Sequence, residues 1–483
     1  MLTFLLNDDE IRLTECGASD TLLDFLRIGR RLTGTKEGCA EGDCGACTVL
    51  LGRLHEGRLV YEPVNACIRF LASCHGCHVV TVEQLRDPDG GLHAVQRAMV
   101  DHHASQCGFC TPGFVMALYG LWMTDPAADV TAIETALQGN LCRCTGYAPI
   151  VRAAQAVLAA GGQAGDRIER DRAAVTARLA AMQGARVEVA RDGADRAILP
   201  ADVDDLAAVL DDHPDATIVA GATDVGLWVT KALRPIAPAV FIGHLDGLKR
   251  IEVGGDHIRI GAGVTYTEAV PLIEAEFPEV SDYWHRIGGW QVRNMGTIGG
   301  NIANGSPIGE TPPLMIALGA RLVLRRGALR RELPLEDFFI AYGQQDIRPG
   351  EFVETIVLPR RGDARVAAYK ISKRRSADIS AVAAAFRIEV AGGVITAARV
   401  AFGGMAGTPR RAPAAEAALT GAPFSAASFA AAGAAVLDDF QPLDDWRASA
   451  AYRRAIARNF FRRLWLEQAG GDQPVRLARA AGD

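Results

Sequence analysis

The chain has 483 residues, of which 49% are hydrophobic, so it is long enough for about three domains with packed cores. Its formal net charge of -6 argues against a nucleic-acid partner, because phosphate binding needs a clustered basic surface. No apolar run approaches the roughly 20 residues that span a bilayer, and the first residues become polar too early for a signal peptide. We therefore expect a globular cytoplasmic protein with no membrane partner and no nucleic-acid partner.

The N-terminal residues alternate in polarity, which predicts a hairpin of two short strands, LTFLLN and IRLTEC. A helix, TLLDFLRIGRRL, is expected next and leads into a glycine-rich loop. The first of two sets of four cysteines begins in this loop: Cys39, Cys44, Cys47 and Cys67. This is the plant-type spacing of [2Fe-2S] ligands, and the neighbouring glycines allow close approach of backbone N-H groups to sulfur. Buried free thiols and a zinc site are the alternatives.

Cys74, Cys77 and His78 match the CxxCH signature of covalent c-type haem attachment. The chain shows no export signal, so packing between the two small N-terminal domains is favoured over haem binding. Cys16 is expected to be a buried free thiol.

After Thr81 the apolar period changes from two to about 3.6 residues, which predicts four helices. Pro112 suits the first turn of the second helix, and Thr131 with Glu134 predicts an N-terminal capping box for the third. The second set of cysteines lies at two helix junctions: Cys107, Cys110, Cys142 and Cys144. Helix N-termini favour thiolate, and a CxC pair is too short for a relaxed disulfide within itself. The spacing therefore predicts a second [2Fe-2S] cluster.

Residues 161–195 are rich in Ala, Arg, Asp and Gly and predict a surface linker with some helix. A helix over residues 203–212 and a strand, turn and helix start in TIVAGATDVG follow, which is typical of a phosphate site. The chain lacks GxGxxG, so a Rossmann site is disfavoured. A second glycine cluster, Gly299 and Gly300 with nearby Asn301, offers free N-H groups and little bulk. Because single-electron carriers need a two-electron partner, we interpret both segments as a flavin site.

Five motifs occur in a fixed order: TGTKEGCAEGDCGACTV, QCGFCTPG, GNLCRCTGY, IVAGATDVG and MGTIGGNIANGSPIGE. Over nearly the whole chain they resemble the iron-sulfur and FAD portion of the xanthine dehydrogenase family of molybdenum hydroxylases. The resemblance implies an α+β multidomain fold. Its expected units are a β-grasp, plant-ferredoxin-like [2Fe-2S] domain (1–79), a four-helix [2Fe-2S] domain (80–160), the linker (161–195), a vanillyl-alcohol-oxidase-type FAD-binding domain (196–364) and a C-terminal flavoprotein α+β domain (365–483).

The resemblance also implies the residues that contact FAD. One wall would be formed by Ile218, Val219, Ala220, Gly221, Ala222, Thr223, Asp224 and Val225, with the pyrophosphate near the middle of this segment. The second wall would be formed by Ile287, Thr297, Gly300, Asn301, Ser306 and Glu310. Val353 and Lys370 match positions that flank the flavin ring, and Tyr342 matches a position over the ring at the nicotinamide face. Lys370 would stabilise the reduced, anionic ring. Where this chain has Glu310 and Ile287, family members often have aspartate and phenylalanine.

The function implied by the resemblance is electron transfer within a xanthine dehydrogenase. Electrons would pass from a molybdenum centre in a partner chain to the helical-domain cluster, the ferredoxin-type cluster, FAD and then NAD+. Oxidation of hypoxanthine and xanthine to urate would occur in a large molybdopterin-binding subunit, with two copies of each chain, so no catalytic residue for hydroxylation is expected here. The alternatives are the equivalent subunit of an aldehyde, nicotinate or carbon monoxide oxidoreductase, an independent NADH-to-cluster reductase, and a non-enzymatic zinc scaffold. The sequence does not choose between NAD+ and oxygen as acceptor.

Overall fold

The computed structural model of the chain describes residues 1–86 and 90–469. Within these ranges the chain forms five β-sheets and associated helices, so the fold is a multidomain mixture of helix and sheet. Residues 87–89 of the expected helical domain and residues 470–483 of the expected C-terminal domain lie outside the described residues. In the two described ranges no helix is both long and apolar enough to cross a bilayer.

The N-terminal unit is a β-grasp sheet with a short helical crossover. Its elements are β1 (Leu2–Leu6), β2 (Asp9–Leu13), α1 (Leu22–Asp24), β3 (Thr48–His55), β4 (Arg58–Asn65) and β5 (His78–Val80). The strand order is β2-β1-β5-β3-β4, in which only β1 and β5 run parallel. The predicted N-terminal hairpin is confirmed. Leu2, Phe4 and Leu6 of β1 are buried on the same side of the sheet, as strand periodicity requires.

Four helices form the second unit: α2 (Ala94–Asp101), α3 (Thr111–Thr124), α4 (Val130–Ala136) and α5 (Ala148–Ala160). Pro112 occupies the first turn of α3, as predicted. The predicted capping residue of α4 is wrong, because Thr131 lies inside the helix. Asp129 is the N-cap instead, and its carboxylate accepts a 2.8 Å hydrogen bond from the N-H of Ala132.

The segment 161–195 contains α6 (Arg167–Ala180) and β6 (Val187–Arg191). Ile168, Val175 and Leu179 of α6 are buried in the core of the helical unit. The helix is therefore docked on the helical unit, while β6 pairs with the next strand of the chain. The division of the chain at residues 160 and 195 stays a prediction.

The third unit, which the sequence predicts to bind flavin and which we call the flavin unit, begins with a small mixed sheet. Its further elements are β7 (Asp195–Leu199), α7 (Val203–Asp212), β8 (Thr217–Val219), α8 (Val225–Thr230) and β9 (Ala239–Phe241). The strand order is β6-β7-β9-β8, and β9 runs parallel to both of its neighbours. The helix predicted over residues 203–212 and the strand in TIVAG are confirmed, and the glycine turn joins β8 to α8.

A second sheet completes the flavin unit. The elements are β10 (Ile251–Val253), β11 (His257–Gly261), α9 (Val270–Glu276), α10 (Ser281–His285), α11 (Trp290–Met295), α12 (Ile298–Asn304), α13 (Thr311–Leu318), β12 (Arg321–Arg326), β13 (Leu329–Pro334), α14 (Leu335–Phe338), β14 (Phe339–Ala341), β15 (Gln344–Gln345) and β16 (Phe352–Pro359). The order β10-β11-β16-β12-β13 is antiparallel throughout. Strands β14 and β15 form a separate hairpin. The sheet packs against the apolar helix α13, whose residues are buried all round.

The C-terminal unit is an antiparallel sheet covered on both faces. Its elements are β17 (Arg365–Ile371), β18 (Val382–Ala391), β19 (Val394–Gly403), β20 (Arg410–Arg411), α15 (Pro413–Leu419), α16 (Ala426–Asp439) and α17 (Ala450–Gln468). Ala384 and Phe386 of β18 face the helices of this unit, whereas Ala383 and Ala385 join the core of the flavin unit. Because successive side chains of β18 point to opposite faces of the sheet, this strand contributes to both the C-terminal core and the flavin-unit core.

One hydrophobic core is shared by the β-grasp sheet and the first flavin sheet. The rings of Phe70 and Phe241, one from each unit, meet edge to face with centroids 6.0 Å apart. Val219 of β8 belongs to the same core. Cys16 is also part of it and is 1% exposed, which confirms the buried thiol. Burial raises the pKa of Cys16 to about 12.

The CxxCH motif is also part of this shared core. Cys74 and Cys77 are both buried there, so the expected packing between the two small N-terminal domains is wrong: their core lies toward the flavin unit. Both ring nitrogens of His78 are engaged, with Tyr61 Oη at 2.7 Å and the carbonyl oxygen of Asn7 at 2.9 Å. The motif is thus accounted for by packing and hydrogen bonding.

Candidate functional site

The first cysteine set brings four thiols together beside the β-grasp sheet. The thiols of Cys44 and Cys67 donate hydrogen bonds to the sulfur of Cys39, which lowers the pKa of Cys39. Cys67 likewise donates to Cys47, and this lowers the pKa of Cys47. The backbone N-H groups of Glu41 and Cys44 lie 3.4 Å from Cys39 Sγ. The loop therefore gathers sulfur atoms and directs peptide dipoles at them, as an anionic cluster requires.

The second cysteine set lies where the two helix junctions of the helical unit meet. Cys144 donates a hydrogen bond to Cys107, which raises the pKa of Cys144. Burial, together with donation to Cys142, raises the pKa of Cys110 to about 12. Burial by itself would raise the pKa of Cys142. Hydrogen bonds from Thr145 and from the N-H of Cys144 outweigh this effect and hold the pKa below its usual value. The Thr145 hydroxyl is 3.2 Å from Cys142 Sγ.

The sulfurs of the second set thus meet in two pairs, Cys107 with Cys144 and Cys110 with Cys142. Each iron of a [2Fe-2S] cluster takes two cysteine thiolates, so a pairwise arrangement suits this group. Mononuclear zinc instead needs four ligands around one point. The donor sets fit [2Fe-2S] clusters, and ligation by the eight cysteines stays a prediction.

The two cysteine loops touch each other through their backbones. The N-H of Leu141, next to Cys142, donates to the carbonyl oxygen of Cys44 at 3.0 Å. Asn140 Nδ2 donates to the carbonyl oxygen of Gly45 at 3.1 Å. A Cβ on Gly45 would lie only 2.1 Å from the carbonyl oxygen of Gly139, so this approach requires glycine. The ligand loops of the two expected clusters are therefore in direct contact.

The first cysteine loop also contacts the flavin unit through α8. Thr230 Oγ1 donates to the carbonyl oxygen of Ala40 at 2.7 Å, and Lys231 Nζ donates to that of Cys39. A Cβ on Gly226 would lie 2.7 Å from that of Ile68, so α8 packs directly against the residue after Cys67.

A cleft of about 1240 Å³, including space open to solvent, lies between the β8-α8 turn, α12 and β16. Its lining includes most of the residues predicted to bind FAD: Ile218, Ala220, Gly221, Ala222, Thr223, Asp224, Val225, Thr297, Gly300, Asn301 and Val353. Ala222 has a φ of 61°, and a Cβ on Gly221 would lie 1.6 Å from the carbonyl oxygen of Met295. The turn is thus shaped by tight backbone packing.

Two polar groups show that this cleft suits a large polar ligand. Asn301 Oδ1 is buried without a hydrogen-bond partner in the described part of the chain. Burial raises the pKa of Asp224, whose carboxylate is one of the lining groups. A ligand with both donor and acceptor groups would satisfy these atoms. The cleft therefore fits FAD, whose binding by the predicted residues stays a prediction.

Six other predicted FAD residues are not among those that line this cleft: Val219, Ile287, Ser306, Glu310, Tyr342 and Lys370. Val219 is buried within β8. Tyr342 follows β14 and is 77% exposed. Ser306, in the loop after α12, accepts a 3.4 Å hydrogen bond from the N-H of Ile308.

Glu310 and Lys370 form a buried ion pair. Lys370 Nζ lies 2.7 Å from Glu310 Oε1 and donates to the carbonyl oxygens of Arg286 and Asp378 at 3.0 and 2.9 Å. The neighbour of Arg286 is Ile287, so three of the predicted FAD residues lie near one another. Burial lowers the pKa of Lys370, and the Glu310 carboxylate opposes this effect.

Sequence reasoning missed several residues of the cleft. Trp228 and Arg234 both line it, and the guanidinium lies 4.5 Å from the Trp228 ring centroid. Trp228 follows Asp224 by one helical turn, a spacing that could have indicated it. Tyr266 and Phe352 also line the cleft, and no local pattern points to Tyr266.

Three family profiles match consecutive parts of the chain. They are the [2Fe-2S] binding domain (residues 81–155), the FAD binding domain in molybdopterin dehydrogenase (191–361) and the CO dehydrogenase flavoprotein C-terminal domain (367–468). Xanthine dehydrogenase from Emericella nidulans is 30% identical in an alignment that includes 96% of this chain and 38% of that protein. This chain belongs to the molybdenum hydroxylase family. It corresponds to the family's iron-sulfur and flavin portion.

Further relatives are similar to this chain in sequence or in structure. Rat xanthine dehydrogenase/oxidase (Rattus norvegicus) is 31% identical over 84% of this chain and 34% of its own. Carbon monoxide dehydrogenase from Hydrogenophaga pseudoflava superposes with a TM-score of 0.53, at 29% identity, over 55% of this chain and 93% of that chain. Quinoline 2-oxidoreductase from Pseudomonas putida 86 gives 0.52 at 26% identity, over 56% and 95%. The chain spans little more than a third of the length of these curated relatives. Its [2Fe-2S] and FAD domains are electron-transfer domains of an oxidoreductase family.

Proposed function

We propose that this chain is the electron-transfer part of a cytoplasmic xanthine dehydrogenase. Two [2Fe-2S] clusters would carry single electrons, and FAD would convert them to the two-electron chemistry of NAD+. The eight cysteines of the two sets would hold the clusters, and the cleft around Gly221 and Asn301 would hold FAD. The electron source would be a molybdopterin-binding partner subunit, with two copies of each chain.

One observation carries this proposal: the candidate sites form an unbroken series of contacts. The Cys142 loop touches the Cys44 loop through the 3.0 Å hydrogen bond from Leu141. The residue after Cys67 packs on α8, whose first residue, Val225, lines the flavin cleft. Such a series supports stepwise transfer in the order helical-domain cluster, β-grasp cluster and flavin. The exposure of Cys107 and Cys144 supports the helical-domain site as the end that a partner subunit would approach.

The series is tested by removing one ligand from the helical-domain site. In Cys142→Ser, we expect electron paramagnetic resonance of the dithionite-reduced protein to lose one of two distinct cluster signals, with FAD retained. Iron analysis of the unchanged protein should give about four irons per chain. Cys16→Ser is the matched control, because Cys16 is a buried thiol outside both sets and both signals should persist. Survival of both signals in Cys142→Ser contradicts the ligand assignment.

Xanthine as substrate and NAD+ as acceptor have a separate test. The support for xanthine is similarity to the xanthine dehydrogenases of Emericella nidulans and the rat. The structural similarity to carbon monoxide dehydrogenase and quinoline 2-oxidoreductase favours, as the second candidate, the equivalent part of another molybdenum hydroxylase. Native purification should recover a molybdenum-containing subunit, and the complex should reduce NAD+ with xanthine. Activity with carbon monoxide or an aldehyde in place of xanthine would favour the second candidate. NADH-dependent cluster reduction without any molybdenum subunit would favour an independent reductase.

A further inference from the structure

Two adjacent cavities lie between the β-grasp unit and the first sheet of the flavin unit. The inner cavity measures about 540 Å³ and the outer about 1260 Å³, counting space open to solvent. Both are lined by Arg53, Arg69, Ser73, Gly243, His244 and Lys249. The inner cavity borders the flavin cleft, with which it shares the lining residues Ala220, Gly221 and Thr297. None of the three cationic residues lines the flavin cleft.

Lys249 is the most unusual group of these walls. The residue is 9% exposed, and its ammonium has no hydrogen-bond or ion-pair partner within residues 1–86 and 90–469. Burial lowers the pKa of Lys249 and the neighbouring Arg53 adds to the effect, whereas the carboxylates of Glu268, Asp246 and Glu62 oppose it. A largely buried ammonium with no directly paired carboxylate is costly unless a ligand supplies the counter-charge.

The two arginines also have hydrogen-bond donors without acceptors. Arg53 pairs with Glu62 at 2.9 Å and with Glu268 at 2.8 Å, but its Nη1 is buried without a partner. Arg69 donates through Nη2 to the carbonyl oxygen of Ser73 at 2.8 Å, and its Nε is buried without a partner. Glu62, Asp202 and Asp246 also line the cavities. Arg69 and Lys249 nevertheless have no carboxylate within ion-pair distance in the part of the chain described, so these two cations have no direct counter-ion there.

We propose that this interdomain cavity binds a phosphate-sized oxyanion between Lys249, Arg69 and Arg53. Several oxygens on one small anion would accept from the three side chains and offset their charge together. Water would satisfy the donors but would not offset the charge. Because Arg53 and Arg69 belong to the β-grasp unit and Lys249 to the flavin unit, the anion would join the two units. The site is separate from the proposed electron transfer and does not depend on it.

The test uses the whole flavin-containing protein and inorganic phosphate, with sodium chloride at matched ionic strength as the reference. We expect phosphate, but not chloride, to raise the unfolding temperature in a saturable manner. Lys249→Met should weaken phosphate binding at least about tenfold, because a charge-assisted hydrogen bond is lost. In chloride alone the variant should be as stable as the unchanged protein or more so, since an unpartnered buried ammonium has been removed.

Two further variants keep the outcome interpretable. Lys249→Arg retains the charge and should retain phosphate binding. Arg259→Met removes a half-buried cation of β11 that lines neither cavity, and it should leave phosphate binding unchanged. Flavin and cluster absorbance report whether each variant is folded. Equal effects of phosphate and chloride, or an unaltered phosphate response in Lys249→Met, would overturn the proposal. So would a response confined to flavin-free protein, because the cavity would then belong to the flavin site.

Comparing the affinity for adenosine monophosphate with that for phosphate distinguishes a phosphoryl group of a larger molecule from a free oxyanion as the ligand. Binding tighter than that of phosphate would indicate the phosphoryl group of a larger molecule, with the remainder in the outer cavity. Equal or weaker binding would indicate a free oxyanion. Either result supports the oxyanion site. Failure of both phosphate and adenosine monophosphate to bind would contradict it.

Discussion

At the scale of single residues, the hydrogen bonds to Cys142 predict how the proposed second cluster would be tuned. Its sulfur accepts from the Thr145 hydroxyl at 3.2 Å and from two backbone N-H groups at 3.4 and 3.5 Å. Donors to a ligating sulfur stabilise the more negative, reduced cluster. Thr145→Val should lower the reduction potential of that cluster by about 40 mV, the one-electron equivalent of roughly 1 kcal/mol.

A redox titration followed by electron paramagnetic resonance measures the shift at Thr145. Thr135→Val is the matched control, since this exposed hydroxyl bonds only within α4, to the carbonyl oxygen of Thr131. The other cluster signal serves as an internal reference and should keep its potential. A shift of equal size in both signals, or in the control, would show that the hydrogen bond at Cys142 is not the cause.

The buried ion pair of Lys370 and Glu310 gives a second prediction for single residues. Removing one member of such a pair leaves an uncompensated buried charge, which is strongly destabilising. Lys370→Met should lower the free energy of unfolding by about 3 kcal/mol. The double variant Lys370→Met, Glu310→Gln should recover much of this loss. Urea unfolding measures both, with the exposed Lys373→Met as a control expected to change stability by less than about 0.5 kcal/mol.

At the scale of elements, Asp166 explains why α6 is docked rather than free. Its carboxylate caps α6 through the N-H of Ile168 at 2.8 Å and accepts from the Tyr119 hydroxyl at 2.7 Å. His93 Nε2 lies 3.1 Å from the other oxygen. Asp166→Ala should therefore cost about 2 to 3 kcal/mol, the sum of a lost cap and an orphaned buried hydroxyl. Hydrogen exchange of the α6 amides should report the loss, whereas Asp129→Ala, an exposed cap on α4, should cost only about 1 kcal/mol.

The contribution of Asp166 should also depend on pH. Although burial opposes it, hydrogen bonds from His93, Tyr119 and Ile168 hold the pKa of Asp166 below its ordinary 3.8. The carboxylate therefore adds stability above pH 3.8, and this stability disappears as the pH falls through the lower value of the folded protein. The difference between the unchanged protein and Asp166→Ala should be constant near neutral pH and shrink in acid. A difference that grows on acidification would contradict the assigned sign.

The elements show where sequence reasoning succeeds. Helix 203–212 was predictable because its apolar period is regular, and β8 because TIV precedes a glycine turn. The cap of α4 was missed because Asp129 and Thr131 both precede apolar residues, and only the backbone reveals which one lies outside the helix. The docking of α6 was not predicted because Asp166 accepts a hydrogen bond from Tyr119, which is 47 residues away in the sequence. Composition does not specify such a distant partner.

At the scale of the whole molecule, a hydrophobic core shared by two units couples their stability. Contacts between residues far apart in the sequence, such as Phe70 and Phe241, join the β-grasp unit to the flavin unit. The motifs grouped eight cysteines into two sets, because ligand spacing is a local signal, and the family resemblance assigned part of the lining of the flavin cleft. They did not predict that Cys74 and Cys77 pack toward the flavin unit, because a buried cysteine fits any apolar core.

The shared core predicts that loosening the β-grasp unit also releases flavin. Phe70 is fully buried, so Phe70→Ala should cost about 3 to 5 kcal/mol through lost packing and a cavity. We expect flavin release, measured by fluorescence during heating, and bleaching of cluster absorbance to shift together to lower temperature. Phe429→Ala is the matched control, because Phe429 is equally buried but lies in the separate core of the C-terminal unit. Earlier bleaching without earlier flavin release in Phe70→Ala would show that the two units unfold independently despite their common core.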